Sequence, residues 1–366
     1  MDQSNLHINQ QVNWRQVGLF ILLTFGLSWA INLLLWLTAG YGQNIATLIT
    51  LQAQMLMPAF AAIVLGMFVF KNSPIYFRNY RERPRWFFYF FLGYALIYLV
   101  FGLLVVLRPE LGTVLSAISS SLSILGLMVL VALRAFSGRE AFARAGLAGG
   151  EVRHWVLYGS AFVLFYVLQT ALNAAFDLGR PVDIAAVAQS IGAGEMPVNV
   201  FIFVSAVQSI LVGPLIGLLL GFGEEYGWRG YLQGELIGLG KRRGILLLGL
   251  IWSVWHYPVI WMGHNYPGQP VSGTVLMTGY TTLLAFVLGY VMLKTGSIWL
   301  VSFLHALNNQ TYSYLNSLVY QPDSPVFSFG AGIYGLITLA VIVLLLLRDP
   351  VWQEPGTGDL ESEPTR

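Results

Sequence analysis

The stretch Gly221–Leu232, GFGEEYGWRGYL, places two adjacent carboxylates, Glu224 and Glu225, and a guanidinium, Arg229, directly after a long apolar run. In a helix Glu225 and Arg229 stand one turn apart on one face, acid first, the favourable order for an ion pair. Paired, they largely neutralise each other. Glu224 is turned about 100° away and has no partner in its own helix. A carboxylate held out of water and left over from pairing is suited to take or give a proton as general base or acid. Two more stretches carry polar groups in apolar surroundings: His256 in IWSVWHYPVIW, and His305 with Asn309 in SFLHALNNQ. His305 and Asn309 are four apart and share a face.

The elements that must position these groups are membrane helices. Of 366 residues 56% are hydrophobic and 10% charged, against about 25% charged in soluble proteins; mean hydropathy is +0.68. The expected fold is an all-α polytopic membrane protein with about ten transmembrane helices, at 17–39, 46–70, 86–107, 113–133, 154–177, 200–223 (with helix continuing to about 236), 244–262, 273–293, 298–319 and 328–347. Each is long enough to cross about 30 Å of hydrocarbon. The first is too long for a cleaved signal and lacks a small-residue cleavage site, so it is expected to be retained. Cysteine is absent, which excludes thiol nucleophiles, disulfides and Cys-ligated metals. A net charge of +2 gives no reason to expect a nucleic-acid partner; the bilayer is the expected one.

Ten spans put Arg15, the basic loops 71–85, 134–153 and 241–243, Lys294, Arg348 and Arg366 on one side, 16 of the 19 basic residues, with Arg108 and Arg180 opposite. By the positive-inside rule both termini are expected in the cytoplasm, in a multi-pass protein of the plasma (inner) membrane. Residues 1–348 read as one membrane-embedded domain with its polar motifs in 200–320, and 349–366, poor in apolar residues, as a disordered cytoplasmic tail. The tail's Gly356-Thr357-Gly358-Asp359 has the lettering of an intramembrane aspartyl-protease motif but lies outside any span. His154 and Asp177 are expected at the membrane surface, His7 and His264 in water, and Gln52, Gln54 and Ser119–Ser121 in helix packing.

Counted from the cytoplasmic ends of their spans, Glu224, His256, His305 and Asn309 lie about 8–12 residues deep, or roughly 12–18 Å. Three helices of alternating direction thus bring their strong polar groups to one level. Intramembrane ionisable groups are costly and functional by default.

Together these stretches resemble the CPBP intramembrane protease family, which includes the type II CAAX prenyl endopeptidases and Abi-type immunity proteins. That family is marked by E-E-x-x-x-R, F-x-x-x-H and H-x-x-x-N/D on successive helices. Here stand Glu224-Glu225-Tyr-Gly-Trp-Arg229, Trp252-Ser-Val-Trp-His256 and His305-Ala-Leu-Asn-Asn309, with Trp252 where Phe is usual. The resemblance implies a cytosol-facing cavity in which Glu224 and His256 activate water, Glu225 and Arg229 hold the helix, and His305 and Asn309 bind the oxyanion. It implies a membrane-associated or lipidated peptide or protein substrate and no organic cofactor. Glu224, His256 and His305 would also make a His₂Glu site for a divalent metal such as zinc, with water fourth; a metal-free glutamate mechanism uses the same residues, and the sequence leaves both open. A catalytically inactive scaffold or a proton-coupled transporter are the competing readings; a transporter is expected to show repeated halves, and no repeat is found.

Overall fold

The computed structural model describes residues 11–353 apart from 39, 41 and 43. Its elements are helices α1 Trp14–Leu37, α2 Ile45–Val64, α3 Arg85–Leu107, α4 Gly112–Ser137, α5 Arg139–Arg144, α6 Val152–Ala175, α7 Ile184–Ser190, α8 Val198–Val207, α9 Gly213–Ile216, α10 Leu218–Glu225, α11 Gln233–Leu236, α12 Lys241–Trp261, α13 Pro270–Thr295, α14 Ile298–Leu318 and α15 Ile333–Leu346, with two short strands, β1 Gly179–Pro181 and β2 Tyr320–Pro322, paired antiparallel. Apolar runs become helices because a backbone in hydrocarbon must satisfy its own hydrogen bonds. Asn44 caps α2 and Ser297 caps α14 through side-chain oxygens, and Gly296, at φ +60°, ends α13 in the left-handed turn that favours glycine.

Among the described residues eight helices are long and apolar enough to cross a membrane, and all ten expected segments are helical. α14 is long but diluted by polar residues. α15 spans Ile333–Leu346, about 21 Å at 1.5 Å per residue, shorter and later than expected because 323–332 is irregular. Large apolar side chains such as Leu22, Leu164 and Phe203 are exposed around the outside, as a lipid-facing surface requires. The protein is an integral multi-pass membrane protein.

The sixth expected span is a broken helix. α8, a π segment Gln208–Val212, α9, α10, a π segment Tyr226–Leu232 and α11 follow one another to Leu236. Straight, the run would measure almost twice the apolar thickness of a bilayer. Pro214, which lacks an N–H, and Gly217 sit at its break. The second π segment directly follows Glu224 and Glu225; such segments are frequent at functional sites.

One end of the bundle gathers the basic loops. Arg144 pairs with Glu82 at 3.1 Å and Arg83 donates to the Phe136 carbonyl at 3.0 Å. Lys241 donates to the Val351 and Gln353 carbonyls, both at 2.9 Å, and Arg242 to the Leu347 carbonyl at 3.0 Å. β1 and β2 lie at the other end. The tail expected to be disordered from 349 is ordered where it begins: Pro350–Trp352 forms a 3-10 turn and Trp352 is buried against Phe286 and Tyr290. Residues 354–366, which hold the Gly-Thr-Gly-Asp lettering, and His7 lie outside the described residues. His264, expected in water, is half-buried after α12, and burial pushes its imidazole down to about 4.

Candidate active site

α10 lies flush between α14 and α2 because it presents glycine to both. A Cβ on Gly221 would run into the Ser302 backbone of α14, and one on Gly223 would meet the Met55 carbonyl of α2 at 2.6 Å. Aromatic packing fixes the same contact: Phe222 stacks on Trp299 at 4.7 Å and meets Phe91 at 5.0 Å and Phe87 at 5.2 Å. The residues after Phe222 and Trp299 are thereby aligned, and these carry Glu224, Glu225 and His305.

Glu224, Glu225, Arg229 and His305 are all buried. Glu225 Oε1 accepts from Arg229 Nη1 at 2.8 Å, the expected pair one turn apart. The same oxygen stands 2.6 Å from His305 Nδ1. A carboxylate oxygen accepts, so Nδ1 carries the hydrogen and Nε2 is turned toward Glu224, whose Oε1 is 3.7 Å away. That gap exceeds a direct hydrogen bond; a water in reach of both atoms would stand to one side of the line between them. Glu224 Oε2 accepts from Trp252 Nε1 at 2.9 Å. The Trp252 ring also receives the Arg229 guanidinium over its face at 4.2 Å. Trp252 was singled out in the sequence as a large aromatic; its role as hydrogen-bond donor to Glu224 was not visible there.

His256 packs against Trp252. Its Nδ1 is 2.9 Å from the Trp252 carbonyl, which can only accept, so Nδ1 carries a hydrogen. The His256 and His305 rings each stand 5.7 Å from the Trp252 ring, and Trp255 meets His256 edge-on at 4.8 Å. Asn309 is exposed, and its Oδ1 accepts from Asn308 Nδ2 at 3.1 Å. Its neighbour Asn308 is buried and takes Tyr166 Oη at 2.6 Å and Tyr280 Oη at 3.1 Å; spacing from His305 pointed to Asn309 alone. The structure thus brings Glu224, Glu225, Arg229, His305 and Trp252 into direct contact, keeps His256 against Trp252, and leaves Asn309 exposed outside that contact.

Both histidines are held through Nδ1 with Nε2 turned away, the arrangement of many metal-ligating imidazoles. The three candidate ligands Glu224, His256 and His305 are nevertheless not gathered: among the described residues no three His, Cys, Asp or Glu side chains are close enough to hold a metal ion. As placed, they do not fit one.

The structure thus gathers buried carboxylates and an imidazole inside a helical membrane bundle. Residues 206–311 match the family model described as Type II CAAX prenyl endopeptidase Rce1-like. The match covers all three motifs and bears out their resemblance to the CPBP/CAAX intramembrane proteases. No curated protein and no solved structure matches the chain.

Proposed function

We propose that this protein is an intramembrane endopeptidase in which Glu224 activates a water for attack on a peptide bond of a membrane-associated protein or peptide. The observation that carries the proposal is the divided use of Glu224: Oε2 is fixed by the Trp252 indole at 2.9 Å while Oε1 faces His305 Nε2 across 3.7 Å. A water beside that gap is held by Oε1, which takes its proton as the water oxygen attacks the substrate carbonyl. His256, with Nε2 unprotonated, is the second base toward the same space. His305, carrying both protons, gives Nδ1–H to Glu225 and offers Nε2–H to the developing oxyanion. Glu225 and Arg229 hold His305 and the helix in register. Exposed Asn309 is assigned the second oxyanion donor, reaching inward once substrate displaces its bond to Asn308. Glu224 then returns the proton to the leaving amine. The surrounding tryptophans keep bulk water out, so these dipoles act in a low-dielectric pocket. No step is routed through a metal or an organic cofactor.

The family match supports an endopeptidase with a protein substrate at the family level. We place the basic end of the bundle in the cytoplasm of a cell whose plasma (inner) membrane holds the protein, with the site open to that side. Prenylated and unprenylated substrates are both compatible with these residues. Proteomics of C-terminal fragments in cells carrying the wild type or Glu224→Gln tests the proposal. Fragments that accumulate only with the wild type name the substrate; identical fragment sets reduce the protein to a scaffold.

A further inference from the structure

Away from the catalytic residues, at the basic end, a cavity of about 260 Å³ lies between α4, α5, α6 and α13. Its lining includes Arg134, Arg139, His154 and Lys294, with Glu151 the one acid among them. Arg153 engages Glu151 at 2.7 Å and Asp349 engages Lys294 at 2.9 Å. Arg134 and Arg139, from the end of α4 and the start of α5, bring charge that neither acid offsets.

The loop lining the cavity has three successive carbonyls engaged on other elements. Leu147 O accepts from Trp299 Nε1 at 3.1 Å, Ala148 O from Ser297 Oγ at 3.1 Å and Gly149 O from Trp155 Nε1 at 2.7 Å. In a trans peptide the following N–H points opposite to the carbonyl. The N–H groups of Ala148, Gly149 and Gly150 therefore point away from Trp299, Ser297 and Trp155. None of those three lines the cavity, whereas Ala148, Gly149 and Gly150 do. Gly150 holds φ +70°, and a Cβ there would meet Ser297 at 2.8 Å. Successive N–H groups turned to one side form an anion-binding concavity.

One turn deeper the surroundings become apolar. Val131, three residues before Arg134, and Leu157, three after His154, are each 60% exposed. α4 runs toward the basic end and α6 away from it, so both residues lie on the bilayer side of the cationic rim. Cations and N–H donors at the rim with bare aliphatic flanks below match an amphiphile whose head is a phosphate.

We infer that this cavity binds a phosphate-bearing headgroup, that of an anionic phospholipid of the leaflet at the basic end, with its acyl chains along Val131 and Leu157. Basic pockets between transmembrane helices recognise anionic headgroups in this way. The loop is pinned to Ser297 and Trp299 at the start of α14, so an occupied site steadies the helix that carries His305. The site stands independently of the proteolytic reading, because none of its residues belongs to the catalytic cluster.

The test uses the purified full chain in detergent, with bound lipid counted by native mass spectrometry and the unfolding midpoint followed as phosphatidylglycerol, phosphatidylcholine or inorganic phosphate is added. The variants are Arg134→Gln with Arg139→Gln, each of these singly, and Arg78→Gln with Arg81→Gln as a charge-matched control; all four arginines are exposed. Phosphatidylglycerol should bind the wild type and the control alike and bind the Arg134/Arg139 double variant about thirtyfold more weakly, with about fivefold for each single change. Phosphatidylcholine should not compete. Inorganic phosphate that binds as well as the lipid, with the same loss in the double variant, supports the anion site and assigns its source to soluble phosphate. Equal phosphatidylglycerol binding by the wild type and the double variant, or an equal loss in the control, overturns the site.

Discussion

His305 Nδ1 and Glu225 Oε1 lie 2.6 Å apart, and the same oxygen holds Arg229 at 2.8 Å. One carboxylate thus ties the helix of the first motif to the helix of the third. Removing it strands a buried guanidinium and frees an imidazole together. Glu225→Ala and Arg229→Ala should each destabilise by about 3–5 kcal/mol, because each leaves an uncompensated buried charge. The double variant should cost well below the sum, and the same non-additivity should appear for Glu225→Ala with His305→Ala. Chemical unfolding in detergent measures the cycle; additive costs would mean that the three groups do not act as a unit.

Glu224→Gln keeps the acceptor for Trp252 Nε1 and removes the proposed base. Peptide hydrolysis by the purified variant should fall by about 10²–10⁴-fold, with an unfolding midpoint close to that of the wild type. Near-normal turnover would remove Glu224 from the chemistry.

Asp349 shows how the start of the tail is latched. The Val351 backbone N–H, with Lys294 and Tyr290, holds its carboxyl below the usual carboxylate range. A depressed folded pKa contributes stability that is present above the unfolded value, near 4, and is lost as pH falls through the lower folded value. Hydrogen exchange across 349–353, corrected for intrinsic rates, should therefore show protection at neutral pH and opening in acid. Asp349→Asn should open the latch at neutral pH and abolish the acid transition. Unchanged protection in that variant would show that Trp352 alone holds the segment.

What the sequence disclosed and what it hid divide along the range of the interactions. The helices follow from apolar length, and Glu225–Arg229 from a spacing of four, both local properties. The His305–Glu225 bond depends on the register between two helices, set by Gly221 against Ser302 and by Phe222 on Trp299, and no periodicity encodes that. The tail was read as disordered by its composition, yet Trp352 finds Phe286 and Tyr290 some sixty residues earlier in the chain. Spacing chose Asn309 from His305, while packing buried Asn308 between two tyrosines from α6 and α13. The break at Pro214 and Gly217 was written in residue types but masked by the apolar run around it.

The basic loops share one end of the bundle, and that end should face the cytoplasm. The chain has no cysteine, so single replacements report cleanly. Glu140→Cys lies at the basic end and Glu195→Cys beyond the far end of α6; both positions are exposed. An impermeant maleimide applied to intact cells should label position 195 and spare 140 until the membrane is opened. The reverse pattern would invert the topology and move the catalytic opening to the other side.

Trp252 offers the sharpest separation of chemistry from scaffolding. Its indole N–H donates to Glu224 Oε2 at 2.9 Å, and its ring face carries the Arg229 guanidinium at 4.2 Å. Trp252→Phe removes the donor and keeps an aromatic face, with the residue type usual in the family this stretch resembles. A hydrogen bond to a charged group contributes about 1.5–3 kcal/mol, so kcat should fall by about ten- to a hundredfold if that bond orients the base. KM should change little, because the indole N–H is spent on the protein's own carboxylate. Trp252→Leu removes the ring as well. It should add a loss of stability, because Arg229 then loses its aromatic neighbour. The comparison decides the role: if Phe and Leu lower the unfolding midpoint equally and Phe leaves kcat intact, Trp252 is packing, and the orientation of Glu224 must come from His305 alone.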